Sequence, residues 1–352
     1  MLIRPVLRRK KGSSCDSAHR ALHTSMISLS ILVAVGIDWL AGEPRRWHPL
    51  VGFGALAAGV EKRLNLKHPE YVPWFAGVPR RGKLCGVLGL LLLCLPLPLL
   101  WWFLVADGAL GSLGVLSVSS LLEVTLLYLS IGHRSLWDHG RPIVDALEQQ
   151  DEDLARQLTS RIVSRDPEAL DIEVSAIESV LENGNDALFG ALFWFVIAGG
   201  AGALCYRLVN TLDATWGYRT SRYCDFGWAA AKFDDLLNYL PARCTALSYA
   251  LLADTQVALR CWQAQAAAHA SPNGGPVITA GAGGLGVILG GPTRYQGVWH
   301  NKPLLGEGQP PRARDIVRAL RLVTQTLMLW IILLLGADLL GAVYSQAGGF
   351  YH

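Results

Sequence analysis

Charge is scarce in this sequence. Asp, Glu, Lys and Arg make up 17% of the 352 residues, against roughly a quarter in a soluble globular chain. The net charge is only +3. No stripe of Arg and Lys interleaved with aromatic residues appears, which sets nucleic acid aside as a partner. Cysteine is present but unorganised: Cys15, Cys85, Cys94, Cys205, Cys224, Cys244 and Cys261 form no Cys-x-x-Cys pair. That spacing argues against a zinc site or a disulfide framework and leaves small buried hydrophobes as the reading of these thiols. The Gly-Lys-Ser/Thr ending of a P-loop is missing, as are a serine nucleophile elbow and a His-Glu-x-x-His helix. No internal repeat and no low-complexity domain divides the chain, so it reads as one domain.

What stands in place of charge is apolar. Hydrophobic residues make up 51% of the chain, with 12 Trp and 37 Gly, the composition of a helical membrane protein, where Trp sits at interfaces and Gly lets helices approach. The expected fold is all-α: a polytopic integral membrane helical bundle with a cytoplasmic helical insert. Residues 84–107 are long enough to span a bilayer, with Pro96 and Pro98 kinking the helix and Trp101 and Trp102 at its far interface. A second span over 113–132 follows after a short joint around Asp107–Gly111, forming a hairpin. Arg80, Arg81 and Lys83 before it, and Lys62, Arg63 and Lys67 further back, place its outer ends in the cytoplasm by the positive-inside rule. Residues 1–26, basic and Ser-rich, read as a disordered tail, with Met26 as an alternative start. A membrane-embedded catalytic domain covers 27–345 and a short tail 346–352. The apolar run 27–41, interrupted by Asp38, is at the low limit for spanning and reads as a helix embedded from the cytoplasmic face. Residues 134–186 form the polar, acidic helical insert, 187–206 an apolar segment, 244–262 an apolar helix carrying Asp254 and Arg260, 271–308 a Gly-rich loop region and about 322–344 a last span.

Four polar clusters lie against these apolar runs. The first holds Asp38, Gly42-Glu43-Pro44 and His48. A carboxylate inside an apolar helix needs a partner or a role, although Gly42 and Pro44 also suit a plain helix end. The second holds Arg165, Asp166, Glu178, Glu182, Asn183 and Asp186. Glu178, Glu182 and Asp186 recur every four residues and share one helix face. Such a face is either solvated or shares a cation, and Mg²⁺ with phosphate oxygens meets that need. The third holds Tyr206, Arg207, Asn210, Asp213, Tyr218, Arg219, Asp234, Asp235, Asn238 and Arg243. Alternating Arg and Asp suit an ion-pair network or a phosphate site equally well. The fourth holds His269, Ser271-Pro-Asn273-Gly-Gly275, Gly290-Gly-Pro292, Tyr295, Gly297 and Lys302, whose turns offer backbone N–H groups to anions.

In this order the clusters resemble the cobalamin-biosynthesis family of adenosylcobinamide-phosphate synthases, also called cobyric acid–aminopropanol ligases. The resemblance runs from about Ile31 to Gly306, carried by DWLAGEPRRWHPLVGFG (38–54), IVSRDPEALD (162–171), NTLDATWGYR (210–219), DDLLNYLPAR (234–243), SPNGG (271–275) and LGGPTRYQG (289–297). It implies an integral membrane enzyme joining adenosylcobyric acid to (R)-1-amino-2-propanol phosphate with ATP and Mg²⁺, the corrinoid being substrate. The site residues so implied are Glu178, Glu182, Asp186, Asp234 and Asp235 for catalysis. For substrate and phosphate they are His48, Arg165, Asp166, Asn183, Asn210, Asp213, Tyr218, Arg219, Asn238, Arg243, Asn273 and Lys302. Glu182, Asp186 and Asp38 are the metal candidates. The chain departs from the family pattern at Glu43, Ala187, Ala191, Ile278 and Thr293; at Ile278 the family commonly carries Glu.

The residue types suit this chemistry. A carboxylate resists attack by an amine until it is activated, as in an acyl phosphate formed from ATP. Cations then position the phosphates, and a carboxylate or His takes the proton of the amine. Arg165, Arg207, Arg219, Arg243 and Lys302 are candidates for a phosphate pocket. The expected setting is the inner membrane, with the site facing the cytoplasm and membrane lipid around it. A homo-oligomer or an association with other membrane enzymes of cobalamin synthesis goes with this setting. The alternative is a membrane transporter or sensor using Asp254, Arg260 and Asp338 as intramembrane charges. One conflict is built in: if 187–206 spans fully, the second and third clusters face opposite sides. It disappears if the segment is re-entrant or buried in the bundle.

Overall fold

Caps and prolines set where the helices begin. His48, Asp151, Asp171 and Asp254 each accept a backbone N–H of the first turn that follows, supplying an acceptor the helix itself lacks there. The computed structural model describes residues 13–44, 48–71, 81–106, 112–113, 116–295 and 297–348. In chain order the elements are α1 (Ser13–Ala41), α2 (Pro49–Leu64), α3 (Gly82–Cys94), α4 (Pro96–Ala106), β1 (Ser112–Leu113), β2 (Leu116–Ser117), α5 (Val118–Ser130), α6 (His133–Glu148) and α7 (Glu152–Thr159). There follow α8 (Ile172–Gly184), a π turn (Asn185–Phe189), α9 (Gly190–Trp216), α10 (Trp228–Leu237), α11 (Tyr239–Leu252), α12 (Thr255–Gln265), α13 (Gly274–Leu285), β3 (Ile288–Tyr295), β4 (Val298–Gly306) and α14 (Ala313–Gly348). The fold is predominantly helical, as expected.

Among the described residues, three stretches are long and apolar enough to cross a membrane: Gly82–Trp101, Ile172–Trp216 and Ala313–Val343. The first breaks at Leu95, where α4 starts on Pro96, so the proline kink is where the sequence puts it. In the third, Ile332, Leu333, Leu339, Leu340 and Val343 are all exposed on α14, a face that suits lipid. The shorter apolar stretch Ile27–Ala41 belongs to α1. That helix starts at Ser13, inside the segment read as a disordered tail, because an apolar helix propagates outward from its formed turns.

The middle stretch is not one rod. A straight 45-residue helix would run about 67 Å at 1.5 Å per residue. Instead α9 breaks at Ala198 (φ −136°, ψ 20°) and Gly199 (φ 61°, ψ −156°), the latter a conformation open essentially to glycine alone. The chain then doubles back. The Tyr206 hydroxyl donates to the Asp186 carbonyl at 3.1 Å although twenty residues separate them. A Cβ added at Gly190 would lie 2.1 Å from that hydroxyl, so the two limbs touch. Glu123 of α5 accepts from Gly200 N–H at the start of the returning limb and from Trp101 Nε1 at 3.0 Å. It supplies the cap that the limb needs inside the bundle. Residues 187–206 are therefore re-entrant.

Other expectations shift. The second span over 113–132 shortens to α5, whose 13 residues cover only about 20 Å; the joint at Asp107–Gly111 lies outside the described residues. Residues 244–262 split at Ala253–Asp254 because Asp254 caps a new helix. The Gly-rich region 271–308 holds helix α13 and an antiparallel hairpin of β3 and β4 rather than loop. The final helix begins at Ala313 and runs to Gly348, so it takes in residues 346–348 of the expected tail; 349–352 lie outside the described residues.

Candidate functional site

The doubled-back α9 brings the second and third clusters together. A cavity of about 720 Å³ is lined by Glu182, Asn185 and Asp186 from α8 and the π turn and by Asp213, Tyr218 and Arg219 from the end of α9 and the loop after it. Lys232, Asp234, Asp235 and Asn238 line it from α10, and Ser271, Pro272, Asn273 and Gly274 from the start of α13. The loop is held from outside: Arg222 reaches buried Glu61 of α2 through both carboxylate oxygens at 2.7 and 2.8 Å. At Gly227, the N-cap of α10, a Cβ would sit 1.7 Å from the Trp216 carbonyl oxygen, so only glycine lets α10 start there.

A buried amide network sets the floor. Asn238, the C-cap of α10, donates to Asp234 Oδ2 at 3.1 Å. Its own carbonyl oxygen accepts from Asn185 Nδ2 and from the Tyr206 hydroxyl, each at 2.9 Å. Asn185 also donates to Asp186 Oδ1 at 2.8 Å and accepts from Thr245 at 3.0 Å. Asn210 donates to Asp234 Oδ1 at 3.3 Å. Asp234 thus has neutral amide partners and, among the described residues, no ion pair. Burial pushes its carboxyl up to about 6, against the opposing hydrogen bonds from Asn238 and Asn210. Asp235 pairs with Lys232 at 2.9 Å, and its carbonyl oxygen receives Asn273 Nδ2 at 2.8 Å.

Glu182 and Glu178 have separate fates. Glu178 is buried against Arg165, with Gly290 N–H donating to it at 2.8 Å and Lys302 3.8 Å away. A second, smaller cavity of about 180 Å³ holds this group together with Tyr295, Ile278 and His269. The expected sharing of one cation by Glu178, Glu182 and Asp186 is therefore corrected: two cationic side chains already neutralise Glu178. Glu182 lines both cavities and makes no hydrogen bond or ion pair with the described residues. A Cβ on Gly274 would meet Glu182 Oε1 at 2.9 Å and His269 Cε1 at 3.0 Å, so the bare glycine leaves room for both carboxylate and imidazole. Among the described residues no group of three His, Cys, Asp or Glu could by itself hold a metal ion.

Several other sequence candidates serve the scaffold. Asp166 accepts from Arg294 and from Gly297 N–H, both at 2.8 Å, and so anchors the β3–β4 hairpin. Arg243 stacks on Tyr239 and donates to Asn273 Oδ1 at 3.1 Å, fixing the Ser-Pro-Asn turn. His48 caps α2. Asp38 is buried, lines none of the described cavities and accepts from Arg134 N–H at 2.9 Å through one oxygen, so it stands apart from Glu182 and Asp186 as a metal candidate. Asn183 faces away from the large cavity and donates to Ser179.

The sequence reading left out Asn185, Lys232 and Cys224, an exposed thiol lining the large cavity rather than a buried hydrophobe. For Asn185 the signal was present, two residues past Asn183 and beside Asp186. For Lys232 it was the three-residue spacing to Asp235. The string Gly281-Ala-Gly-Gly-Leu-Gly286 has dinucleotide-loop spacing, yet it ends a helix on a left-handed Gly286 instead of opening one after a strand.

Residues 31–323 match the CobD/Cbib protein family. The chain belongs to that family. It is 48% identical to a protein of Chromobacterium violaceum named "Cobalamin biosynthesis protein CobD", over 90% of this chain and 99% of that one. A protein of the same name from Stutzerimonas stutzeri is 49% identical over 88% of this chain and 97% of its own. One from Mycobacterium tuberculosis is 37% identical over 83% and 90%. No solved structure matches. Family membership covers the described cavity from α2 to β4.

Proposed function

We propose that this member of the CobD/Cbib family acts in cobalamin biosynthesis, joining a carboxylate of adenosylcobyric acid to (R)-1-amino-2-propanol phosphate as an amide. The observation that carries the reading is the convergence of three polar clusters, distant in sequence, on one cavity at the base of a re-entrant hairpin. Its volume, about 720 Å³, suits a nucleotide and a substrate side chain. The corrin ring is larger than this space and stays at the mouth.

Mg²⁺ with ATP supplies the activation that a carboxylate lacks toward amines. The residues fit it in one form: Glu182 and Asp186 would hold the ion with one or two carboxylates and leave the rest of its shell to the nucleotide and water, because no all-protein cage is present among the described residues. Arg219 and Lys232, which line the cavity, would bind the phosphates. Asp234, held by Asn210 and Asn238, is the base that receives the amine proton. The α13 N-terminus, closed by Ser271 on Gly274 N–H at 3.0 Å, turns its dipole toward the same space.

Two of the three charges on which the transporter reading rests have other roles in this fold. Asp254 is a helix cap, and Arg260 forms an exposed pair with Glu307 at 2.9 Å. The test is an amide-forming assay: membranes containing the protein, adenosylcobyric acid, aminopropanol phosphate and Mg-ATP, with product read by mass. Absence of ATP-dependent product from active, folded protein would end the proposal.

A further inference from the structure

The helices α10 and α11 meet at Asn238, whose backbone stays in the right-handed helical region, and together they show two faces. Asp234 and Asn238 turn inward to the amide network, and Ala242, Thr245, Ala246 and Tyr249 continue that buried side along α11. The outward side is apolar. Leu236, Leu240, Leu247 and Leu251 are 66, 56, 47 and 59% exposed. The last three follow one another at seven and four residues, so they share one stripe of α11, and the exposed Cys244 stands in it. A ridge of four leucines left open by the rest of the chain marks a surface that something else covers. With 14 residues, α11 is about 21 Å long, short of the roughly 30 Å of a hydrocarbon core, so it does not cross a bilayer by itself.

Both ends of the ridge are tied to helices long and apolar enough to enter a membrane. At the α11 end, Trp330 Nε1 of α14 donates to Ser248 Oγ at 3.0 Å, and the exposed apolar face of α14 opens at Met328, two residues earlier. At the α10 end, Lys83 Nζ lies 5.2 Å from the centre of the Trp228 ring, and Lys83 stands in the first turn of the apolar stretch Gly82–Trp101. An ammonium at the start of a span and an indole beside it are the residue types of the headgroup layer. Trp228 and Lys232, one turn apart and both exposed, also line the large cavity, and Leu236 follows one turn later. The rim of the cavity therefore passes directly into the ridge. We propose that α10 and α11 lie in the surface of the bilayer, with the leucine ridge among the upper acyl chains, and that the large cavity opens at the headgroup layer beside Trp228 and Lys232. Lipid, rather than a second copy of the chain, is the occupant of the ridge. The four leucines offer no charge or hydrogen bond to fix a protein partner, and they abut a helix whose own outer face suits lipid. This placement holds whatever reaction the cavity carries.

Depth-resolved fluorescence quenching of the full-length protein in phosphatidylcholine nanodiscs is the test. Bimane is attached to Lys232→Cys, Leu240→Cys, Leu247→Cys and Gln150→Cys, one at a time, in protein carrying Cys224→Ser and Cys244→Ser, with that background as the blank. The lipid carries a nitroxide on its headgroup, high on its acyl chain or at the middle of the chain, and iodide is the quencher in water. At positions 240 and 247 the greatest loss of fluorescence is expected from the nitroxide high on the chain, with little from iodide. At position 232 the headgroup nitroxide should quench most. At position 150, exposed on the acidic insert, iodide alone should quench. Quenching led by iodide at both leucine positions overturns the lipid-facing ridge. Protection there from iodide and from every nitroxide overturns it as well and gives the ridge to a protein partner. Loss to iodide but to no nitroxide lipid at position 232 overturns the placement of the mouth. The two leucines point out of the fold, so their labelled variants should melt where the background does. A clear drop in melting temperature would mean that the ridge is packed inside the protein, which also overturns the placement. Amide formation is not measured, so a failure of the ligation reading and a failure of this one are separate results.

Discussion

At the scale of single residues, the two glutamates one turn apart on α8 make opposite predictions. Glu178→Gln leaves Arg165 and Lys302 without their carboxylate, so it should cost about 3–5 kcal/mol of stability, the usual result of removing one partner of a buried pair. Glu182→Gln removes a carboxylate with no protein partner, so the melting temperature should hold while amide formation falls on the order of 10²-fold or more. Thermal melts beside turnover separate them, and a stable, fully active Glu182→Gln protein would retire Glu182 from the site. Asp234 adds a pH signature. Its carboxyl titrates near 6 when folded and at 3.8 in its ordinary state. The folded state therefore holds the proton more tightly, and this group's contribution to stability declines as pH rises from about 4 to 6, then levels off. Asp234→Asn should flatten that part of the melting curve against pH, and cut turnover at pH 7 by about 10²-fold. If the wild-type and variant melting curves stay parallel across pH 4 to 7, the carboxyl is not perturbed as described.

At the scale of elements, the re-entrant hairpin of α9 decides the site, and Gly199 decides the hairpin. Alanine there must adopt φ 61°, ψ −156°, which costs about 1–3 kcal/mol. Its Cβ would also crowd Glu123 at 3.1 Å. Gly199→Ala should lower the denaturation midpoint and reduce turnover together, since Asp213 reaches the cavity, and Tyr206 the amide network beneath it, only if the chain turns back. A variant with wild-type stability and activity would mean that the turn is elsewhere. The cluster Gly199-Gly-Ala-Gly202 was visible in the sequence as a small-residue stretch, but a small-residue stretch serves helix packing equally well. Only the capping carboxylate of Glu123, 77 residues upstream, distinguishes a turn from a straight span. That contact has no local signal.

For the whole molecule, the hairpin removes the conflict over sides. With residues 187–206 turning back, we propose that the acidic insert and the loop 217–227 share one side of the bilayer, the cytoplasmic side by positive-inside reasoning. Single-Cys variants at Gln150 and Tyr218, in an otherwise Cys-free protein, test it: a membrane-impermeant maleimide should miss both in intact cells and react with both in inverted vesicles. Opposite behaviour at the two positions would restore a full span. Leu66, 36% exposed just after α2, serves as a third probe position.

The sequence by itself determined the membrane class, the proline break before α4, the long final span, the family, and most of the side chains that line the cavity. Those properties follow from composition, local period and short ordered motifs. Tertiary structure decided which carboxylates are free. Glu178, Glu182 and Asp186 look alike at four-residue spacing, and only Arg165, Lys302 and Gly290, brought in from thirteen to 124 residues away, single out Glu178 as paired. Tertiary structure likewise turned Asp166, Arg243 and His48 into supports. The reason is physical: a charge's role depends on what neutralises it, and for a buried charge that partner is set by packing between distant elements.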